Sequence, residues 1–381
     1  MLRRVPPRAA RLLFFTLLLA VTTAMACSSA NALVGISGGK VGNRAPEFRG
    51  IANWINSDPL TMEELRGKVV LIDFWTYTCV NCIRTMPYLK DWHAKYADKG
   101  LVIVGVHSPE FEFEKVTANV VNSAKAAGLK YPIAQDNDFG TWKAYSNRSW
   151  PAKYLVDASG VITYKHFGEG AYRETERRIR ELLLENGADL FYIRPDDSPE
   201  PAFDRAARSR DPGKRITREL YGGYQRNNSR VGIYVAHPEY YEGPERVLDY
   251  VDPGDHLNHQ IYLQGPWFNG IEELRHARTT EDHEDYIAIK FSATSVNAVV
   301  NPERPEVFEV EVTMDGRPLK PEEAGRDLMF AEGRSFFKVA EGRMYELVAL
   351  SEYGSHELRL SSNSDDFSLF AFAFGAYKEG P

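Results

Sequence analysis

Val69-Val70-Leu71-Ile72-Asp73-Phe74-Trp75-Thr76-Tyr77-Thr78-Cys79-Val80-Asn81-Cys82 is the stretch on which the reading of this chain turns. Its first seven residues are apolar apart from Asp73 and rich in β-branched and aromatic side chains, the pattern of a strand buried on both faces. Beyond Cys82, Ile83, Met86, Leu89 and Trp92 recur at helical spacing, so the two cysteines fall where a strand gives way to a helix. Unpaired backbone N–H groups and the helix dipole favour a thiolate there. This predicts Cys79 as the attacking nucleophile, with its pKa lowered toward physiological pH. Cys82, one turn further along, is then the resolving thiol that closes an intramolecular disulfide. A zinc site is the competing use of a C-x-x-C pair, but structural zinc takes four ligands and the chain has no second pair. No metal and no cofactor beyond the Cys79–Cys82 couple is therefore expected.

Working outward, residues 101–106 (LVIVGV) form a second buried-strand run, and Asp98-Lys99-Gly100 ends the helix between the two. Residues 112–128 carry a helical pattern in Val116, Val120, Ala124 and Ala127, with Gly128 as its cap. Residues 154–156 and 161–164 flank Asp157-Ala158-Ser159-Gly160 as a hairpin, and 174–184 read as a final amphipathic helix. Alternating strands and helices over residues 41–190 predict an α/β layer fold. Pro, Asp, Ser and Arg dominate 191–215, the composition of a linker. Short apolar runs at 231–235, 258–263, 286–291, 307–312, 343–349 and 367–374, most of them separated by turn residues, predict an all-β sandwich, jelly-roll-like, over 216–381.

The 381 residues, 43% hydrophobic and 26% charged, describe an ordinary globular chain of about two domains. A net charge of -7 argues against nucleic-acid binding, which needs cationic surface. Arg3, Arg4, Arg8 and Arg11 precede an apolar run and then small residues, so residues 1–32 read as a signal peptide. Cleavage after Ala32 is preferred over a lipoprotein leader ending at Ala26, which would place a lipid anchor on Cys27. Either way an exported, periplasmic or extracytoplasmic location is expected, and the mature chain keeps one reactive thiol pair.

The residues before, within and after the dithiol resemble those of the thioredoxin superfamily. Val70 to Trp75, Cys79, Cys82, Pro87 and Trp150-Pro151-Ala152-Lys153-Tyr154-Leu155-Val156-Asp157 are similar to its exported TlpA/DipZ-type thioredoxin-like branch. The resemblance implies a thioredoxin-like α/β domain with Pro151 as a cis-proline facing the cysteines, and Trp150 offering its backbone to substrate. It also implies Asp73 as the candidate proton acceptor for Cys82, a role suited to a desolvated carboxyl. Trp75 and Tyr77 are candidates either for substrate contact or for packing at the rim. The implied partners are disulfide-bearing protein substrates and a separate membrane thiol electron donor. The second half resembles the carbohydrate-binding-module-like domain that follows the redox domain in DipZ-type proteins, which makes a glycan a candidate ligand.

Two other functions compete. Thr76, Thr78 and Cys79 partly match a peroxidatic site, but the proline expected upstream is Ile72, which weakens a thiol peroxidase reading. A glycan- or partner-binding protein with an accessory redox domain is the other. For it, Tyr240-Tyr241, Trp267-Phe268 and the alternating Phe370, Phe372 and Phe374 are candidate stacking residues, although alternation more often marks the buried face of a strand. His237, His256, His259, His276 and His283 have no compact ligand spacing and are read mostly as surface residues.

Overall fold

The computed structural model describes residues 38–197, 215–228 and 232–375. The leader, Cys27, Val231 and most of the expected linker lie outside the described residues. In the first half, β1 (Asn53–Ile55), β2 (Val69–Trp75), β3 (Leu101–His107), β4 (Ile133–Gln135), β5 (Ala152–Val156) and β6 (Ile162–Phe167) form one sheet in the order β1-β4-β3-β2-β5-β6. The β2–β3 and β3–β4 pairs are parallel, and the others antiparallel. Helices α1 (Val80–Tyr96), α2 (Thr117–Ala126), α3 (Gly140–Ala144) and α4 (Tyr172–Glu185) complete the layers.

All seven residues of β2 are buried, and their alternation divides them between two cores. Val69, Leu71 and Trp75 join Met86, Leu89 and Trp92 of α1 and Ile179 and Leu183 of α4. Val70, Ile72 and Phe74 join Tyr145, Tyr154 and Met62 on the other face. The strand is thus clamped from both sides, which fixes the loop leaving its end.

The helix expected over 112–128 is broken. Glu112–Lys115 is a 3-10 turn, Val116 is extended (φ -70, ψ 111), and α2 begins at Thr117. The break lets Glu114 turn fully inside the protein, where a regular helix pattern treats it as a solvent residue. Gly128 ends α2 with φ +68, a conformation glycine adopts without strain. After α4 the chain stays tied to this domain as far as Asp196. Leu190 is buried, the Arg180 guanidinium donates to the Ile193 carbonyl (2.8 Å) and the Asp196 N–H donates to Glu176 (2.8 Å).

The second half is all-β. Its strands are β7 (Leu220–Tyr221), β8 (Val247–Tyr250), β9 (Ile261–Asn269), β10 (Leu274–His276), β11 (Tyr286–Val300), β12 (Phe308–Met314), β13 (Arg317–Pro318), β14 (Met329–Ala331), β15 (Arg334–Val339), β16 (Arg343–Ser362) and β17 (Ser368–Gly375). Hydrogen bonds join them into one continuous sheet. It encloses its core because β11 changes partners along its length. Residues 286–289 lie between β9 and β16, whereas residues 295–300 lie between β17 and β16, with a register shift between Ala293 and Ser295. A bulge of this kind bends the strand and turns the sheet. Both β11 and β16 run far beyond the apolar stretches, 286–291 and 343–349, that announced them. Residues 232–235 are not a strand as expected, since they make only isolated bridges, Gly232 to Asn228 and Val235 to Ile261, although Tyr234 and Val235 are buried in the core.

Candidate active site

Thr76-Tyr77-Thr78 carries the chain from β2 into α1, and Cys79 caps that helix. Its backbone is extended (φ -77, ψ 110) and its Sγ accepts the Cys82 N–H at 3.2 Å. The Cys82 Sγ lies 2.6 Å from the Cys79 Sγ. Cys79 is half-buried and Cys82 is buried. The expected lowering of the Cys79 pKa is not what this arrangement produces. Burial pushes the thiol up, and the Glu219 and Glu110 carboxylates push it further, against the opposing contacts with Cys82. Burial pushes Cys82 higher still, assisted by its partner sulfur and by Asp73.

Asp73 of β2, whose charge acts on Cys82, is buried at 2% exposure, and burial pushes its pKa up to about 6 against the attraction of Lys153, 3.7 Å away. Lys153 stands next to Asp73 because the antiparallel register of β2 and β5 pairs these two residues. His107, at the end of β3, is also buried. Desolvation lowers its pKa to about 3, so it is neutral, with Nε2 3.3 Å from the Thr76 hydroxyl and its ring stacked on Tyr77. Glu114 accepts hydrogen bonds from the Thr78 hydroxyl and from the N–H groups of Glu110 and Phe111. Its pKa is raised by burial to about 7. His107 and Glu114 thereby brace the loop that presents Cys79.

The β2–β5 register places Ala152 opposite Phe74, so Pro151 reaches the end of the sheet from which the dithiol loop departs. The Trp150–Pro151 bond is cis. Trp150 donates its indole N–H to the Ser108 carbonyl (2.9 Å) and packs against Trp142. Trp75 and Tyr77 are 2% and 5% exposed, so both are packed into the floor of the site rather than standing open at its rim.

The second domain reaches this site. Phe370 of β17 meets Phe111 and Phe113 edge-on, with ring centroids 5.2 and 4.9 Å apart. Val80, Val299, Met344, Ala371 and Ala373 belong to the same apolar cluster. Polar contacts surround it: the Tyr221 hydroxyl and the Arg226 guanidinium bind Glu110 (3.0 and 2.7 Å), and the Glu112 N–H donates to Glu272 (2.8 Å). A cleft of about 540 Å³ opens beside α1 between the domains, lined by Tyr77, Ile83, Met86, Arg326 and Met344 among others.

A redoxin family model matches residues 40–183, and a model described as the thioredoxin like C-terminal domain matches residues 217–375. Thiol-disulfide oxidoreductase YkuV of Bacillus subtilis is 31% identical over 141 residues, which are 37% of this chain and 94% of that protein. The chain belongs to the thioredoxin superfamily. Protein DipZ of Mycobacterium tuberculosis is 37% identical over 277 residues, 72% of this chain. The chain spans only 37% of the length of that DipZ protein. A thioredoxin-like protein solved in solution in its oxidized form is 31% identical and covers 37% of this chain and 95% of that chain, with a TM-score of 0.35.

At this end of the sheet the structure brings together Cys79, Cys82, Asp73, Trp150 and Pro151, which the sequence singled out, with Lys153, His107 and Glu114, to which it assigned no role. Lys153 was signalled only by its place next to Pro151 on a strand. Of the aromatic residues considered for sugar stacking, Tyr241 and Phe268 stay half-buried and the others are consumed by packing. Tyr240 and Trp267 are fully buried, Phe372 and Phe374 belong to the β core, and Phe370 belongs to the domain interface. The histidines correct another expectation: His237, His256 and His276 are buried. His237 accepts the Leu263 N–H, His256 bridges Asp252 and Glu357, and His276 pairs with Asp285. Among the described residues no group of side chains is arranged to hold a metal ion, and no helix is long and apolar enough to cross a membrane.

Proposed function

We propose that this chain is an exported thiol–disulfide oxidoreductase that reduces disulfides in protein substrates. The observation that carries the reading is Cys79 capping α1 with the Cys82 sulfur beside it. The Cys79 thiolate attacks one sulfur of the substrate disulfide, and the other sulfur leaves and takes up a proton. Cys82 then gives its proton to Asp73 and attacks the Cys79 sulfur. The second substrate thiol departs, leaving a Cys79–Cys82 disulfide and a substrate reduced by two electrons. An Asp73 pKa near 6 keeps that carboxyl mostly ionised at neutral pH and able to accept the proton. A separate membrane thiol donor would return the two electrons. The arginine-led apolar leader supports export.

The test is insulin reduction by the wild-type chain and by Cys79→Ser in the presence of a slow dithiol reductant. Loss of catalysis in the variant supports the reading, and equal rates reject it. Rapid peroxide-dependent oxidation of the dithiol would instead favour the peroxidase alternative.

A further inference from the structure

Tyr221 packs against the apolar cluster that holds Val80, the residue after Cys79, and it carries a set of polar contacts across the domain boundary. Glu219 and Tyr221, at the β7 edge of the second domain, and Arg226 beyond it, meet Glu110 of the first domain. The Tyr221 hydroxyl is 3.0 Å from Glu110 Oε1 and 3.0 Å from Glu219 Oε2, and Arg226 is 2.7 Å from the same Glu110 oxygen. A phenol has one hydrogen to donate, so it can serve only one carboxylate. For both contacts to be hydrogen bonds, the other carboxyl must carry a proton and donate it to the phenolic oxygen. Arg226 holds Glu110 as the anion. The proton therefore belongs on Glu219, giving a chain Glu219–Tyr221–Glu110–Arg226 that crosses the domain boundary.

Glu219 is still reached by solvent, so it can exchange that proton. Loss of hydration where it faces the Tyr221 hydroxyl, together with the neighbouring Glu110, pushes its pKa up to about 7. The charged and titratable groups acting on Cys79 are Cys82 on its own helix, Glu110, Glu219, and Arg84 of α1, which is paired with Glu169. Of these, Glu219 comes from the second domain.

We propose that Glu219 is a positioning residue for the exchange reaction: its proton, held through Tyr221 and Glu110, controls how readily the Cys79 thiol ionises, so that the β domain is part of the redox centre. Protonated, Glu219 leaves Cys79 free to form its thiolate. Ionised, it opposes the thiolate, which disfavours the reduced thiolate form and makes the couple more reducing. The inference rests on the dithiol reading above.

The experiment follows Cys79 alkylation by iodoacetamide against pH in the full chain, for wild type, Glu219→Gln, Glu219→Asp and Tyr221→Phe, with Cys79→Ser as the blank. Glu219→Gln is expected to move the midpoint to lower pH and to raise the rate at pH 8 about threefold, as removal of a nearby negative charge requires. Glu219→Asp should retain the wild-type profile, and Tyr221→Phe should shift it. The glutathione equilibrium should move with the thiol: a tenfold change in its constant corresponds to about 30 mV, with Glu219→Gln the less reducing. An alkylation profile unchanged in Glu219→Gln overturns the assignment. If insulin reduction still depends on Cys79 in that case, the dithiol reading stands without Glu219. If Cys79→Ser reduces insulin as well as wild type, the reading beneath it has failed.

Discussion

Asp73→Asn tests the buried acid of β2 through stability as well as rate. In the unfolded chain Asp73 ionises at its ordinary 3.8, and in the folded protein burial moves this to about 6. The gap, 6 - 3.8 = 2.2, corresponds to about 3 kcal/mol at about 1.4 kcal/mol per pH unit. The folded state holds the proton more tightly, so this stabilisation is complete below pH 3.8 and is lost as pH rises through 6. Of that total, about 2 kcal/mol should disappear between pH 4 and pH 8. The variant lacks this group, so its unfolding free energy should fall by that much less over the same interval. Taking the difference between the two pH values cancels the constant penalty of leaving Lys153 without its partner. The assay is urea unfolding of the reduced chain followed by hydrogen exchange in the peptide spanning 69–75, which isolates the first domain. Parallel pH dependences for wild type and variant would refute the placement of Asp73 as a desolvated acid. Insulin reduction should also slow in the variant, because Cys82 loses the group that accepts its proton.

Phe370→Ala removes the ring that meets Phe111 and Phe113, which should weaken domain docking by about 3 kcal/mol; Cys79 alkylation at fixed pH should accelerate while each domain keeps its own circular dichroism. Glu114→Ala leaves the Thr78 hydroxyl and two buried N–H groups without their acceptor, a loss of about 2–3 kcal/mol that should appear as a lower melting temperature and a lower kcat, with Glu114→Gln recovering most of both. The His107 imidazole should show unchanged NMR shifts from pH 5 to pH 8, because burial holds its pKa near 3; a titration near 6.5 would contradict that burial.

The first domain was legible where the local pattern and the final environment agree. Strand β2 could be read directly because every one of its residues is buried, and the hairpin of β5 and β6 because Asp157 to Gly160 supply turn chemistry. Legibility failed where a polar residue goes inside. Glu114, Lys153 and His107 look like surface residues to any periodicity argument, and only tertiary partners reveal their burial. The same cause hid most of β11: Ser292, Thr294 and Asn297 fall outside the apolar run expected at 286–291, yet they are buried in the sheet and hydrogen-bonded there. The Phe370 to Phe374 alternation suggested one buried face. Its second face is buried too, against Phe111 and Phe113 of the first domain, and no local signal carries that information. For this reason Glu219 and Tyr221 could not be connected to the dithiol from sequence.

The central claim, that Cys79 is the sulfur that attacks and Cys82 the one that resolves, is tested most directly by trapping. Cys82→Ser, reduced and mixed with insulin, should accumulate a mixed disulfide that peptide mapping places on Cys79, while wild type passes through the same adduct without storing it. Absence of any adduct on Cys79, or equal trapping at Cys82 in the Cys79→Ser chain, would contradict the account.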